Sequence, residues 1–248
     1  MRFYVSPESI FPEKNLIEIK DKKELHHIRD VMRLRKGECV DIFDGKGREY
    51  TGEIKDSKRD LVVIEIRDEI AFRKDLPCKI TLYQAIPKRK KMDFIVEKSV
   101  ELGAWEIVPI VTERTEGMIG KQKAHIKKER WIRIAKAASK QCGRAGLPLI
   151  SDPINFNDAL IKSKQNDLVV FAALDKSARP LREILKARKV KSIAVFIGPE
   201  GDFSQKEISM AKGHEYKICS LGSLVLRAET ASMYILSCLN YEYSIQDV

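Results

Sequence analysis

Leu221-Gly222-Ser223-Leu224-Val225-Leu226-Arg227-Ala228-Glu229-Thr230-Ala231 carries an apolar strand end into a glycine turn, and then toward a helix start marked by Thr230. Upstream, Gly198-Pro199-Glu200-Gly201-Asp202-Phe203-Ser204 repeats the plan, with Ser204 at the expected helix start. In an open α/β sheet, ligands bind outside the carboxyl ends of the strands, where backbone amides and helix N-termini are free. Two such loops in succession, each with a glutamate and one with an arginine, predict a small-molecule pocket.

Outward from these loops, the chain from Pro77 alternates strand with helix, which argues for a parallel sheet covered by helices. Strands are expected at Lys79–Ile86, Glu106–Val111, Leu168–Leu174, Ser192–Gly198 and Tyr216–Leu221. Helices are expected at Met92–Leu102, Ala124–Gln141, Pro180–Ala187, Gln205–Gly213 and Glu229–Tyr241, with Gly103 as a helix stop. The first 75 residues follow another rhythm. Short alternating or β-branched stretches at Arg2–Val5, Leu16–Ile19, Glu38–Phe43, Glu49–Ile54 and Leu61–Ile66 predict a small, mostly β barrel. Asp44-Gly45-Lys46-Gly47 reads as its hairpin turn, and one helix interrupts it at about Lys22–Met32. The polar stretch Glu69–Pro77 is the natural boundary.

At 248 residues the chain can bury a sizeable core as one large domain or two smaller ones. No apolar run is long enough to span a membrane, and the start reads as a strand and not as a signal peptide. Five scattered cysteines without a C-x-x-C pair, and four histidines without ligand spacing, point to reduced cytosolic thiols and no metal site. The net charge of +10 is concentrated. Residues 1–75 hold 17 basic and 17 acidic side chains, residues 76–165 hold 18 and 9, and residues 166–248 hold 11 and 10. Lys88-Arg89-Lys90-Lys91 and the span from Lys121 to Arg144 could therefore neutralise phosphates, or form a solvated lysine-rich surface. Their position beside a ligand pocket favours nucleic acid.

In the helix expected at Ala124–Gln141, Ala124, Trp131, Ala135 and Ala138 share one face, and Arg133, Lys136 and Lys140 the opposite one. The run Ser139–Gly146, polar with two glycines, reads as a close-approach site for RNA or ligand. Several chemistries are excluded. There is no Gly-Lys-Ser/Thr phosphate loop, no G-x-G-x-x-G and no G-x-S-x-G, and His214 is placed on a polar helix. Glu200 and Glu229 could pair as hydrolytic carboxylates, but Arg227 beside them suggests a polar ligand clamp.

Gly198-Pro199-Glu200-Gly201-x-Phe203-Ser204, followed by Leu221-Gly222-x4-Arg227-x-Glu229-Thr230-Ala231, resembles the RsmE family of 16S ribosomal RNA (uracil-N3)-methyltransferases. The resemblance runs the full length. It is carried also by His26-His27-x5-Arg33-Leu34, Phe43-Asp44-Gly45-Lys46-Gly47, Pro87-Lys88-x2-Lys91-Met92, Glu101-Leu102-Gly103, Thr112-Glu113-Arg114 and Arg130-Trp131. It implies a PUA-like RNA-binding β-barrel over residues 1–72 and a SPOUT-type α/β domain over 73–248 whose C-terminal trefoil knot binds S-adenosyl-L-methionine. A cytoplasmic homodimer acting on 16S ribosomal RNA within the 30S subunit, at a uridine near the decoding region, is implied as well. Three positions depart from the family pattern. Asp202 stands where a second glycine is usual, the middle of Lys88–Lys91 is more basic, and Ala228 replaces a common threonine.

On this resemblance Leu174, Gly198, Pro199, Glu200, Gly201, Leu221, Gly222, Leu224, Leu226, Arg227 and Thr230 are expected to hold the cofactor. Arg227 is expected to stabilise the uracil oxygens or to orient the substrate, and Glu229 or Glu200 to take the N3 proton. Glu229 could equally be a helix N-terminal carboxylate paired with Arg227. Arg2, Arg29, Arg33, Lys46, Lys88, Lys91, Arg114, Lys140 and Arg144 are expected to meet RNA, with His26 and His27 as packing or turn residues. A 2′-O-ribose methyltransferase of the same fold and a non-catalytic ribosome-assembly factor are the alternatives.

Overall fold

The computed structural model describes residues 1–70, 76–89, 91–115, 121–186 and 190–244. Lys90 of the basic cluster, Ala187 at an expected helix end and residues 71–75 within the expected boundary lie outside them. The chain divides into two compact units, Met1–Asp75 with Ser139–Leu147, and Leu76–Ala138 with Pro148–Val248.

In the first unit, β1 (Arg2–Tyr4), β2 (Ile10–Phe11), β3 (Leu16–Ile19), β4 (Cys39–Phe43), β5 (Glu49–Ser57) and β6 (Val62–Ile70) form one sheet. Its order is β1-β4-β5-β6-β3-β2, antiparallel except between β1 and β4. Period-two alternation turns Ile17, Ile19, Ile42, Ile54, Val62 and Ile64 into a core shared with Leu25 and Ile28. Asp21 caps α1 (Lys22–His26) by accepting the N–H groups of Lys23 and Glu24. The helix expected to run to Met32 instead widens into a π turn over His27–Val31. That turn keeps Ile28 in the core and directs Val31 outward. The hairpin turn is held by Asp44, whose carboxylate accepts Lys46 N–H at 2.7 Å and Arg48 N–H at 3.0 Å.

The Ser139–Gly146 run is a close-approach site, but for its own chain. Gly146 bridges Gly45 and Lys46, and Leu147 N–H donates to the Gly45 carbonyl at 2.8 Å.

In the second unit, β7 (Lys79–Ala85), β8 (Glu106–Val111), β9 (Leu149–Ile150), β10 (Ile154–Asn155), β11 (Leu168–Ala172), β12 (Arg179–Pro180), β13 (Ser192–Ile197) and β14 (Lys217–Ser220) pair in parallel throughout. The order is β10-β8-β7-β13-β11-β14-β12, with β9 beside β8. The helices are α2 (Lys91–Glu101), α3 (Lys121–Cys142, its last residues belonging to the first unit), α4 (Phe156–Ser163), α5 (Leu181–Leu185), α6 (Gln205–Gly213) and α7 (Ala228–Tyr243).

Alternation along the central strands feeds two cores. Ile80, Leu82, Ile193 and Val195 pack with Ile95, Trp131, Ile184 and Ile235, from α2, α3, α5 and α7. Tyr83, Ala194, Phe196 and Phe171 pack with Phe156 and Leu160 of α4 and Ile208 of α6. Both faces are therefore covered, as a parallel sheet requires. Each fully buried aliphatic or aromatic side chain contributes roughly 1.5–3 kcal/mol. Trp131, Ala135 and Ala138 are buried on the predicted face of α3. Sequence reading missed α4, although Asn155 caps it by accepting Asp158 N–H and its buried residues Phe156, Ala159, Leu160 and Ser163 follow helical spacing. His214 ends α6 as its C-cap and is not inside a helix.

Candidate functional site

β11, β13 and β14 are neighbours, and the loops beyond their carboxyl ends enclose a cavity of about 260 Å³. Its floor is Ala172, Ile197 and Cys219, and its walls are the segments Ala173–Leu174, Gly198–Asp202 and Ser220–Leu226. Ala228 and Ala231 of α7 close one side. Burial pushes the Cys219 thiol up to about 12, so the floor is uncharged at neutral pH.

Two glycines are needed where they stand. At Gly198 an added Cβ would lie 3.1 Å from the Asp202 carboxylate and 3.2 Å from its backbone. Gly222 has φ +130°, which strains any L side chain whatever the space. Asp202 itself sits at φ +61°, in the left-handed region that aspartate tolerates better than most residues. Its Oδ2 accepts the Leu174 N–H at 2.7 Å, tying two walls of the cavity together.

The Gly198–Phe203 loop is anchored outside the cavity as well. Arg114 Nη1 donates to the Gly201 carbonyl and, at 3.4 Å, to that of Phe203. Ser204 caps α6 in a reciprocal capping box with Glu207, as its sequence position predicts. Glu207 is buried, and its other oxygen accepts Glu113 N–H at 2.9 Å.

At one edge of the cavity Lys91 Nζ lies 3.3 Å from Glu200 Oε1 and 3.3 Å from Glu229 Oε2. Glu200 also accepts Lys88 N–H, at 3.1 and 3.3 Å to its two oxygens. Partial burial pushes the Glu200 carboxyl up, but backbone hydrogen bonds and the Lys91 ammonium outweigh it and hold the group below its ordinary range. Glu229 Oε2 is buried and has no hydrogen-bond partner. The alternative pairing of Glu229 with Arg227 is therefore replaced by one with Lys91. Arg227 is the N-cap residue of α7, so that helix begins at Ala228 and Thr230 lies in its first turn instead of marking its start. The Arg227 side chain is exposed, with no ion pair or hydrogen bond among the described residues.

Of the residues expected at a cofactor, Leu174, Gly198, Pro199, Glu200, Gly201, Leu221, Gly222, Leu224 and Leu226 line the cavity. Arg227 and Thr230 do not. Asp202, Cys219, Ser220, Val225, Ala228 and Ala231 line it unforeseen. The signal for Ala228 and Ala231 is that a chain passing this close to a pocket needs small residues.

The residues expected at RNA separate into two groups. Arg33 and Lys46 are exposed, whereas Arg29 is half-buried and holds the carbonyls of Lys58 and Arg59. Arg2 and Lys140 are committed internally. Arg2 lies over the Phe43 ring, pairs with Glu49 and donates to the Ser139 carbonyl at 2.7 Å. Lys140 lies over Phe3 and pairs with Glu24 at 2.9 Å, beside His27, which packs edge-on against Phe3. Arg144 is half-buried, and Lys88 is exposed next to Glu200.

Residues 74–240 match the RNA methyltransferase domain, and residues 19–67 the RNA methyltransferase PUA domain. Ribosomal RNA small subunit methyltransferase E of Bacillus subtilis is 31% identical over 225 residues, covering 89% of this chain and 88% of that protein. Its counterpart in Aquifex aeolicus is 33% identical over 220 residues, covering 87% and 90%. The chain also resembles the crystal structure of Ribosomal RNA small subunit methyltransferase E from Neisseria gonorrhoeae bound to S-adenosyl methionine. That likeness has a TM-score of 0.85 and 27% identity, over 98% of this chain and 97% of that one.

Proposed function

The chain belongs to the RNA methyltransferase family, and from that premise we propose that it transfers a methyl group from S-adenosyl-L-methionine to N3 of a uridine in small-subunit ribosomal RNA. The observation that carries this reading is the cavity itself. It stands at the carboxyl ends of three adjacent parallel strands, where backbone amides are free, and its ionisable lining is acidic. Such a lining suits a cationic sulfonium ligand and opposes a phosphate. The absence of steric bulk at Gly198 and Gly222 lets backbone approach an adenosine closely.

When bound, the cofactor supplies an activated methyl group: its S–CH₃ bond breaks, an N3–CH₃ bond forms and the N3 proton leaves. This chain must position the uracil and manage that proton. Arg227, exposed between the lining residues Leu226 and Ala228 and without an ion pair or hydrogen bond among the described residues, is assigned to the uracil oxygens, where it stabilises charge as N3 loses its proton. Glu229 is assigned as proton acceptor, because Oε2 lies 3.3 Å from the Lys91 ammonium yet has no hydrogen bond to satisfy it. Glu200 is assigned as a binding residue, since its oxygens are taken by Lys88 N–H and Lys91.

The unit matching the PUA domain would hold the RNA, with Arg33 and Lys46 among its exposed cations. A uridine inside structured RNA would be flipped out to expose N3. Domain limits at 1–72 and 73–248, a trefoil knot in the C-terminal segment and a cytoplasmic homodimer belong to the same reading. In that reading a second copy would cover the exposed Tyr234 and Tyr241 of α7. No helix among the described residues is long and apolar enough to cross a membrane.

A methyl-transfer assay on 30S particles, with mass-spectrometric mapping of the product, tests the proposal. Methylation at uracil N3 is expected. Methyl on a ribose 2′-oxygen, or RNA binding without cofactor affinity, would replace it with one of the two alternatives.

A further inference from the structure

The charge balance of the cavity goes beyond the cofactor reading on which it rests. Two carboxylates line the cavity, Glu200 and Asp202, and no lysine, arginine or histidine does. Glu200 is offset by Lys91, 3.3 Å away. Asp202 has no ion-pair partner among the described residues; its carboxylate accepts only the Leu174 N–H, at 2.7 Å. The left-handed backbone at φ +61° and this hydrogen bond fix the carboxylate in place. Asp202 therefore gives the cavity a fixed negative charge with no cation paired to it among the described residues.

We propose that Asp202 is a specificity-determining residue that makes the cavity prefer the charged sulfonium cofactor to the neutral thioether left after transfer. Breaking the S–CH₃ bond leaves the electron pair on sulfur, so the ligand loses one positive charge as the methyl joins N3. Adenosine and amino-acid contacts are common to both ligands and cancel in the ratio of their affinities. The interaction with a fixed charge does not cancel, because only one ligand carries the sulfonium. Such a bias would hasten release of the thioether and limit inhibition by it.

Calorimetric titration of the wild-type, Asp202→Asn and Asp202→Gly proteins with S-adenosylmethionine and S-adenosylhomocysteine tests the inference. Asparagine keeps an oxygen for the Leu174 N–H and tolerates the left-handed backbone, so it removes the charge alone. The preference for the sulfonium ligand should fall by on the order of fivefold in Asp202→Asn, chiefly through weaker binding of that ligand. Asp202→Gly should lose the same preference, and it should also weaken both ligands through the lost tie to Leu174. Equal weakening of both ligands in Asp202→Asn, or an unchanged ratio, would overturn the inference and leave Asp202 as a loop tie only. A wild-type protein that binds neither ligand would instead overturn the cofactor reading, and this inference with it. Thermal unfolding without ligand confirms that the variants fold.

Discussion

Lys91 divides the labour between two carboxylates that sequence spacing could not rank. It touches both, but only Glu200 also holds a backbone amide, and only Glu229 has a buried oxygen without a hydrogen bond. The Glu200 carboxyl is depressed when folded, so its stabilising contribution is fully present above the unfolded value of about 4.3 and is lost as pH falls through the lower folded value. The stability gap between wild type and Glu200→Gln is accordingly expected to be largest near neutrality and to close on acidification; denaturant melts from about pH 7 to pH 3 measure it. Arg227, assigned above to the uracil oxygens, is the complementary case of an exposed side chain with no structural partner among the described residues. Arg227→Ala should lower turnover by on the order of 10²–10³ while leaving the thermal midpoint unchanged, and near-normal turnover would remove Arg227 from the mechanism.

At the scale of elements, α6 decides whether the Gly198–Phe203 loop keeps its shape. Its first turn is fixed by the Ser204–Glu207 box, and Glu207 also holds the amide of Glu113. Ser204→Ala should cost about 1 kcal/mol, the value of an N-cap. Glu207→Ala should cost more, about 2–3 kcal/mol, because it strips the acceptor from two amides at once. Chemical denaturation orders the two, and an equal cost would show that the Glu113 bond adds nothing. This helix was legible to the residue, since Ser204, Glu207 and the buried Ile208 and Ala211 are all local signals. The longer parallel strands β7, β8, β11, β13 and β14 were legible as apolar runs, but β9, β10 and β12, of two residues each, are too short to leave a pattern. The π turn at His27–Val31 was not, because apolar spacing at Leu25, Ile28 and Met32 fits an unbroken α-helix equally well. Nor was the meeting of Lys91 with Glu200 and Glu229, which the order of the strands creates between segments far apart in sequence.

Across the whole molecule, formal charge overstates what is free to meet RNA. Sequence shows the basic excess of residues 76–165 but not which cations are already neutralised. Lys140 illustrates the loss: it is counted in that excess, yet its ammonium is paired with a largely buried Glu24 and lies over the Phe3 ring. Arg33 and Lys46 come from the segment whose charges sum to zero, and they are exposed. Counterion release distinguishes the two kinds of cation, because each phosphate neutralised adds about 0.7–0.9 to the slope of log affinity against log salt. Binding of a small-subunit RNA fragment should therefore weaken steeply between about 50 and 300 mM KCl. The Arg33→Ala, Lys46→Ala double variant should flatten the slope by about 1.4–1.8, one phosphate for each cation. Lys140→Ala should leave the slope unchanged and lower stability instead, by about 1–3 kcal/mol, since Glu24 loses its buried partner. Fluorescence anisotropy at several salt concentrations, together with denaturant melts of the same variants, separates these effects. A Lys140 variant with a flatter slope and wild-type stability would show that the ion pair opens to let Lys140 bind phosphate.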